Sequence, residues 1–209
     1  MNLKQNVLLV LAALISVCVG VFVFQYTSKI EFSETTFVYD PQRVIQPFEL
    51  QDETNTVFTN DNLKGYWDLV FLGYLSCPDV CPMTLAKLSR ILPELQKVSD
   101  KPVRIVFVSV DPKRDTPENM AKYIDYFGGN IKGVRAEHKN LFPFVRNLGL
   151  MYSIPDQEIE DGYFVDHSAS IILVNPDAQI EAIFKPEIVL NQVPTVDTQT
   201  MLEDFKKLM

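Results

Sequence analysis

The chain has 209 residues, enough for one ordinary domain with an appendage or for two very small domains. It is 47% hydrophobic and 22% charged, with eight Gly and thirteen Pro, a composition that excludes a disordered or collagen-like protein. Nineteen Lys and Arg against 27 Asp and Glu leave a net charge of −8. An acidic chain without basic blocks is a poor binder of nucleic acid, whose affinity comes largely from phosphate neutralisation. Three cysteines are too few for a disulfide-stapled miniprotein.

The first segment to depart from globular composition is Val7 to Phe24, which carries no charge. As a helix these residues would be about 27 Å long, close to the hydrocarbon thickness of a bilayer. Lys4 and the amino terminus precede the span, and Lys29 behind it is diluted by Glu31 and Glu34. The positive-inside rule then favours a cytoplasmic N-terminus. A cleaved signal peptide is the alternative, but its apolar region is usually shorter and ends at a small-x-small site, which the residues from Phe24 to Ser28 do not supply. The expectation is an anchor over 1–28, a polar tether over 29–46 and a folded domain over 47–209. That domain lies across the membrane, where cysteines can be oxidised. With no Arg-rich transit peptide ahead of the span, the location expected is a bacterial inner membrane, crossed once, with the C-terminal domain in the periplasm.

Within the domain, Val57–Thr59 and Leu69–Tyr74 read as strands, the second apolar on both faces and so central. Leu85, Leu88, Ile91, Leu92 and Leu95 follow Pro82 at 3-3-1-3 spacing and make one helical stripe. Val103–Val110 is a second apolar strand. Thr116 and Pro117 open a helix as cap and first residue, and Gly128-Gly129 ends it. A short strand near Val134, a helix from about Asn140 to Leu148, strands over 170–174 and 179–184 about the turn Asn175–Ala178, and a helix from Thr198 to Met209 complete the pattern. A β-α-β-α run followed by a hairpin and a terminal helix describes an α/β sandwich of thioredoxin type around a central mixed sheet.

Between the central strand and its helix lies Cys77-Pro-Asp-Val-Cys81-Pro82. Reactive groups of open α/β sheets collect beyond the carboxyl ends of strands. A helix N-terminus also favours thiolate over thiol, so both sulfurs are expected to be more acidic than a free cysteine. On a regular helix, residues four apart have Cβ atoms about 5–6 Å apart, wider than the roughly 3.5–4.5 Å of a disulfide. A soft metal ion accepts that separation without strain. If the regular helix begins only at Pro82, residues 77–81 form a turn instead. A structural disulfide or a pair of buried thiols is the plain alternative. Of the two histidines, His138 lies in a charged stretch and reads as a surface residue. His167 precedes the apolar strand at 171–174, which a thioredoxin-like topology brings beside the cysteine helix. Asp166 could orient it or add charge. Two soft thiolates and one imidazole select copper over hard cations. Asp111 and Asp115, at the same end of the sheet, are candidates to border the site.

These segments, Cys77 to Pro82, Ser109-Val-Asp-Pro-Lys-Arg-Asp-Thr-Pro117 and Val165-Asp-His-Ser168, occur in an order that resembles the Sco/SenC family of membrane-anchored copper proteins. The resemblance runs from about Pro47 to Phe184. It implies that Cys77, Cys81 and His167 bind one Cu(I) or Cu(II) ion. It further implies a role in assembling the dinuclear copper centre of cytochrome c oxidase, as copper donor or as thiol reductant of the oxidase subunit, with a periplasmic copper donor or thiol reductant as a further partner. Residues 135–140 depart from the Gly/Thr-rich stretch expected there. A copper metallochaperone needs His167 as well as both cysteines. A thiol–disulfide oxidoreductase needs only Cys77 and Cys81, and a thiol peroxidase would want a Thr-x-x-Cys pattern that is missing.

Overall fold

The computed structural model describes residues 2–27, 30–128, 130–153, 163–190 and 193–209. The chain divides into two compact units, residues 1–31 and 32–209. The first is a single helix, α1 (Leu3–Thr27). Its stretch Lys4–Phe22 has a mean hydropathy of 2.3 and is long and apolar enough to cross a membrane.

The second unit opens with β1 (Thr36–Val44), β2 (Leu50–Asp52), β3 (Val57–Phe58) and the single turn α2 (Asn60–Leu63). Then come β4 (Trp67–Gly73), α3 (Val80–Val98), β5 (Val103–Ser109), α4 (Pro117–Phe127), β6 (Ile131–Arg135) and α5 (His138–Asn147). The short strands β7 (Tyr152–Ser153) and β8 (Asp166–His167) precede the hairpin of β9 (Ile171–Val174) and β10 (Gln179–Phe184), and α6 (Thr198–Leu208) closes the chain. Eight strands form one mixed sheet in the order β1-β10-β9-β4-β5-β6-β2-β3. Strands β4, β5 and β6 run parallel, and β9 lies antiparallel against β4, pairing Phe71 with Ile171. This is the thioredoxin-like sandwich expected from the element order.

The centre of the sheet is dry on both faces. Leu69 to Leu72 of β4 and Val103 to Val108 of β5 are buried, except that each strand carries one buried charge near its start, Asp68 and Arg104. These two neutralise each other through paired bonds of 2.6 and 3.0 Å. The helical stripe Leu85, Leu88, Ile91, Leu92 and Leu95 is buried in α3 as its spacing predicts. Thr116 caps α4 through the Asn119 N–H, and Gly128 ends that helix at φ 62°; Gly129 lies outside the described residues.

The stretch expected to be a tether, 29–46, instead contains β1. That strand pairs antiparallel with β10, and its register shifts between Val38 and Arg43. Pro41 falls inside that irregularity, on an edge strand where a missing N–H is tolerated.

Candidate metal centre

The cysteine segment follows β4 directly. Helix α3 begins at Val80, so Cys81 sits in its first turn and Pro82 occupies a position whose N–H has no helical partner. Cys77 lies in the turn before the helix, and its Sγ accepts the Cys81 N–H at 3.5 Å. Burial opposes ionisation of Cys77, but backbone N–H groups of Asp79, Cys81 and Val80 aimed at its sulfur outweigh that and hold the thiol below its ordinary value. Cys81 departs from the expectation. Its side chain is fully buried, and burial pushes its thiol well up, an effect the Tyr74 N–H only partly offsets and the charges of Cys77 and Asp115 reinforce. The helix terminus therefore acidifies only the sulfur that still meets solvent.

Depth is set by close packing. The Cys81 sulfur rests against the backbone of Gly73, where an added Cβ would stand 3.1 Å from it and 2.5 Å from the Phe107 ring. Glycine is therefore required at the end of β4. A lone Gly closing a strand of large residues signals such an approach, and the sequence reading passed over it.

His167 arrives from the other side of the fold. Strand β8 pairs with β7, opposing His167 to Tyr152, and the imidazole is wedged edge-on between Phe71 and Tyr74 at 6.3 and 6.1 Å. Its Nδ1–H donates to the Ser168 carbonyl at 3.2 Å, which turns the Nε2 lone pair toward Cys81 Sγ, 3.6 Å away. Burial lowers the imidazole pKa, more than the Ser168 carbonyl and the Asp166 charge raise it. The ring is thus neutral and able to coordinate. Asp166 contributes charge, while the Ser168 carbonyl does the orienting.

Metal bonds of about 2.3 Å from sulfur and about 2.0 Å from imidazole nitrogen place two such donors roughly 3.6–3.8 Å apart. The separation of Cys81 from His167 has this value. Among the described residues, however, no three His, Cys, Asp or Glu side chains stand ready to hold an ion as arranged. Cys81 and His167 are at the spacing of two donors on one ion, and Cys77, the more exposed sulfur, borders the same cleft as His167. Two sulfurs and one imidazole make a soft donor set.

Asp115 and Asp111 are both buried. Asp115 Oδ2 accepts the Leu75 N–H at 3.1 Å and the Ser109 hydroxyl at 2.6 Å, bracing the turn that leads to Cys77. Asp111 accepts the Tyr163 hydroxyl at 2.7 Å and pairs with Arg114, whose guanidinium stacks 3.8 Å from the Tyr163 ring. His138 is half-buried and hydrogen-bonded to the Tyr152 hydroxyl at 2.8 Å. A cleft of about 470 Å³ opens at Cys77 and His167, lined also by Tyr74, Val80, Phe164 and Val193.

The SCO1/SenC family model matches residues 38–203. A Stutzerimonas stutzeri protein, provisionally named as copper-binding, is 31% identical over 160 residues, 77% of this chain and 78% of that protein. The human mitochondrial SCO1 homologue is 31% identical over 134 residues, 64% of this chain but only 44% of its own length. Among solved structures, Bradyrhizobium japonicum ScoI with copper bound superposes with a TM-score of 0.62 at 30% identity, covering 79% of this chain and 99% of that one. Arabidopsis thaliana ScoI with copper bound gives 0.68 at 27%, covering 78% and 96%.

Proposed function

The chain belongs to the SCO1/SenC family, and from that premise we propose that it binds one copper ion through Cys77, Cys81 and His167 and serves the assembly of the dinuclear copper centre of cytochrome c oxidase. The observation that carries this reading is the approach of His167 Nε2 to Cys81 Sγ across 86 residues of sequence. Burial lowers the pKa of that imidazole and so favours its neutral, coordinating form, and the acidified Cys77 lines the same cleft. Two thiolates balance Cu(I) to a net charge of −1 and Cu(II) to zero, so the site suits both ions. The partner is the copper-site subunit of the oxidase. Exposed Phe164 and Val193 on the cleft at Cys77 and His167 give it an apolar lip to dock on, and a periplasmic donor supplies the metal. Helix α1 anchors the chain in the bacterial inner membrane, with Lys4 on the cytoplasmic side. Protease added to spheroplasts should then digest the C-terminal domain; full protection would overturn that orientation.

Anaerobic titration of the reduced chain with Cu(I) tests the site. One tight copper per chain is expected, with affinity falling about 100-fold or more in His167→Ala, beyond what changes to outer-shell partners cost. Affinity indifferent to His167 would turn the reading to the thiol–disulfide alternative. The asymmetry of the two sulfurs favours that second role too. The Cys77 thiolate attacks a disulfide of the oxidase subunit, a mixed disulfide forms and one partner thiolate leaves. The buried Cys81 then displaces the second partner thiolate, passing two electrons in all.

A further inference from the structure

Two polar atoms on the α4 side of Cys81 take no part in the reading above. The Tyr123 hydroxyl is buried and makes no hydrogen bond to any described group, and the same holds for Asp115 Oδ1, on a carboxylate that is only 1% exposed. Leaving such a group buried and unpaired is costly, and two orphans in one neighbourhood call for a shared partner.

Their surroundings point to Cys81. The Phe107 ring lies against the Gly73 backbone beside the Cys81 sulfur, and the Tyr123 ring packs on that same Phe107 at 5.8 Å. Asp115 is fixed from its far oxygen by Leu75 and Ser109, which leaves Oδ1 as the free end. The tyrosine hydroxyl is raised well above its ordinary pKa, first by burial and then by the charges of Cys81, Cys77 and Asp115, and Cys81 in turn feels the Asp115 charge. The three polar groups lie within electrostatic reach of one another around the Phe107 ring, and neither Tyr123 Oη nor Asp115 Oδ1 has a direct hydrogen-bond partner among the described residues. Internal waters occupy such settings and typically make about three hydrogen bonds to otherwise unsatisfied groups.

We propose that Tyr123 Oη and Asp115 Oδ1 hold one internal water whose remaining hydrogen bond is donated to Cys81 Sγ, making Tyr123 and Asp115 positioning residues for that sulfur. The inference rests on the reading of Cys81 as a copper ligand for its consequence but not for the water itself. The water accepts from the Tyr123 hydroxyl and donates to the carboxylate and to the sulfur. A hydrogen bond to a ligating thiolate draws electron density from it and tunes the metal from outside the ligand set.

Two measurements test this. A high-resolution crystal structure of the reduced, copper-free full chain should show a water within hydrogen-bond distance of Tyr123 Oη, Asp115 Oδ1 and Cys81 Sγ. A direct Tyr123–Asp115 hydrogen bond, or no density between the three groups, would overturn the proposal whatever the copper results. In the copper-loaded chain, Tyr123→Phe should move the sulfur-to-Cu(II) charge-transfer band to longer wavelength and cut copper affinity about tenfold. Tyr126→Phe, at an exposed ring, is the control and should change nothing. A Tyr123→Phe spectrum identical to wild type would sink the link to the sulfur. Copper binding that survives Cys81→Ser unchanged would instead sink the ligand reading, leaving the water to be judged by the crystal structure.

Discussion

Gly73 shows how little space the site leaves at the level of single residues. In Gly73→Ala the new methyl would press on both the Phe107 ring and the Cys81 sulfur. Neither can retreat far, since both are fully buried. Overpacking of this kind costs about 1–3 kcal/mol, so the melting temperature should fall. On the proposed function the displaced atom is a copper donor, so Cu(I) affinity in a competition titration should fall with it. A variant that is destabilised yet binds copper as tightly as wild type would mean that the sulfur's depth is irrelevant. At this scale the sequence disclosed the residue types well and their environments poorly. The spacing of Cys77 and Cys81 and the position of His167 before an apolar strand singled out the three groups the fold brings near one another. The helix-terminus argument made both thiols acidic because it counts dipoles and ignores depth. Asp166 drew attention as the neighbour of His167, whereas a backbone carbonyl, invisible in side-chain chemistry, does the orienting.

Among the elements, those with a strong period were legible and those that borrow their shape from neighbours were not. The α3 stripe and the apolar runs of β4 and β5 announce themselves, as does the turn between β9 and β10, where the Asn175 side chain accepts from Asp177 N–H and Gln179 N–H. Strand β1 does not, because Pro41 and the register shift after Val38 destroy its alternation, and β7 and β8 are two residues each. What holds the start of β1 is α6. Asp204 accepts the Ser33 N–H at 3.0 Å and pairs with Lys207 at 2.7 Å. Burial alone would raise its carboxyl, but the bonds from Lys207, Ser33 and Thr36 win and bring it down to about 2. A depressed carboxylate contributes stability that is present above its unfolded pKa, near 3.8, and is lost as pH falls toward 2. In thermal melts Asp204→Asn should therefore be less stable than wild type at pH 5, by about 2 kcal/mol. The gap should close as pH drops from 4 to 2. A gap that persists at pH 2 would assign the loss to packing rather than to charge.

For the molecule as a whole, composition argued against a nucleic-acid partner and excluded a disordered chain, and the apolar N-terminal helix was evident from its first 30 residues. The convergence of residues 77, 81 and 167 could be anticipated only through topology, because no local pattern joins positions 86 residues apart. That separation has a thermodynamic side. The cysteines follow the carboxyl end of β4 and His167 precedes β9, the two strands that lie side by side at the centre of the sheet. Unfolding parts the histidine from the cysteine pair, so on the proposed ligand set a bridging ion would act as a removable cross-link that favours the native state. Melting temperature should climb with free Cu(I), by the equivalent of about 2.7 kcal/mol at a hundredfold excess over Kd, and at the same free Cu(I) a hundredfold weaker His167→Ala should keep only about 0.4 kcal/mol of it. Surrendering the ion to a partner would then leave a looser protein than the one that arrived, and this ranks delivery by the stability each party gains or loses as well as by copper affinity.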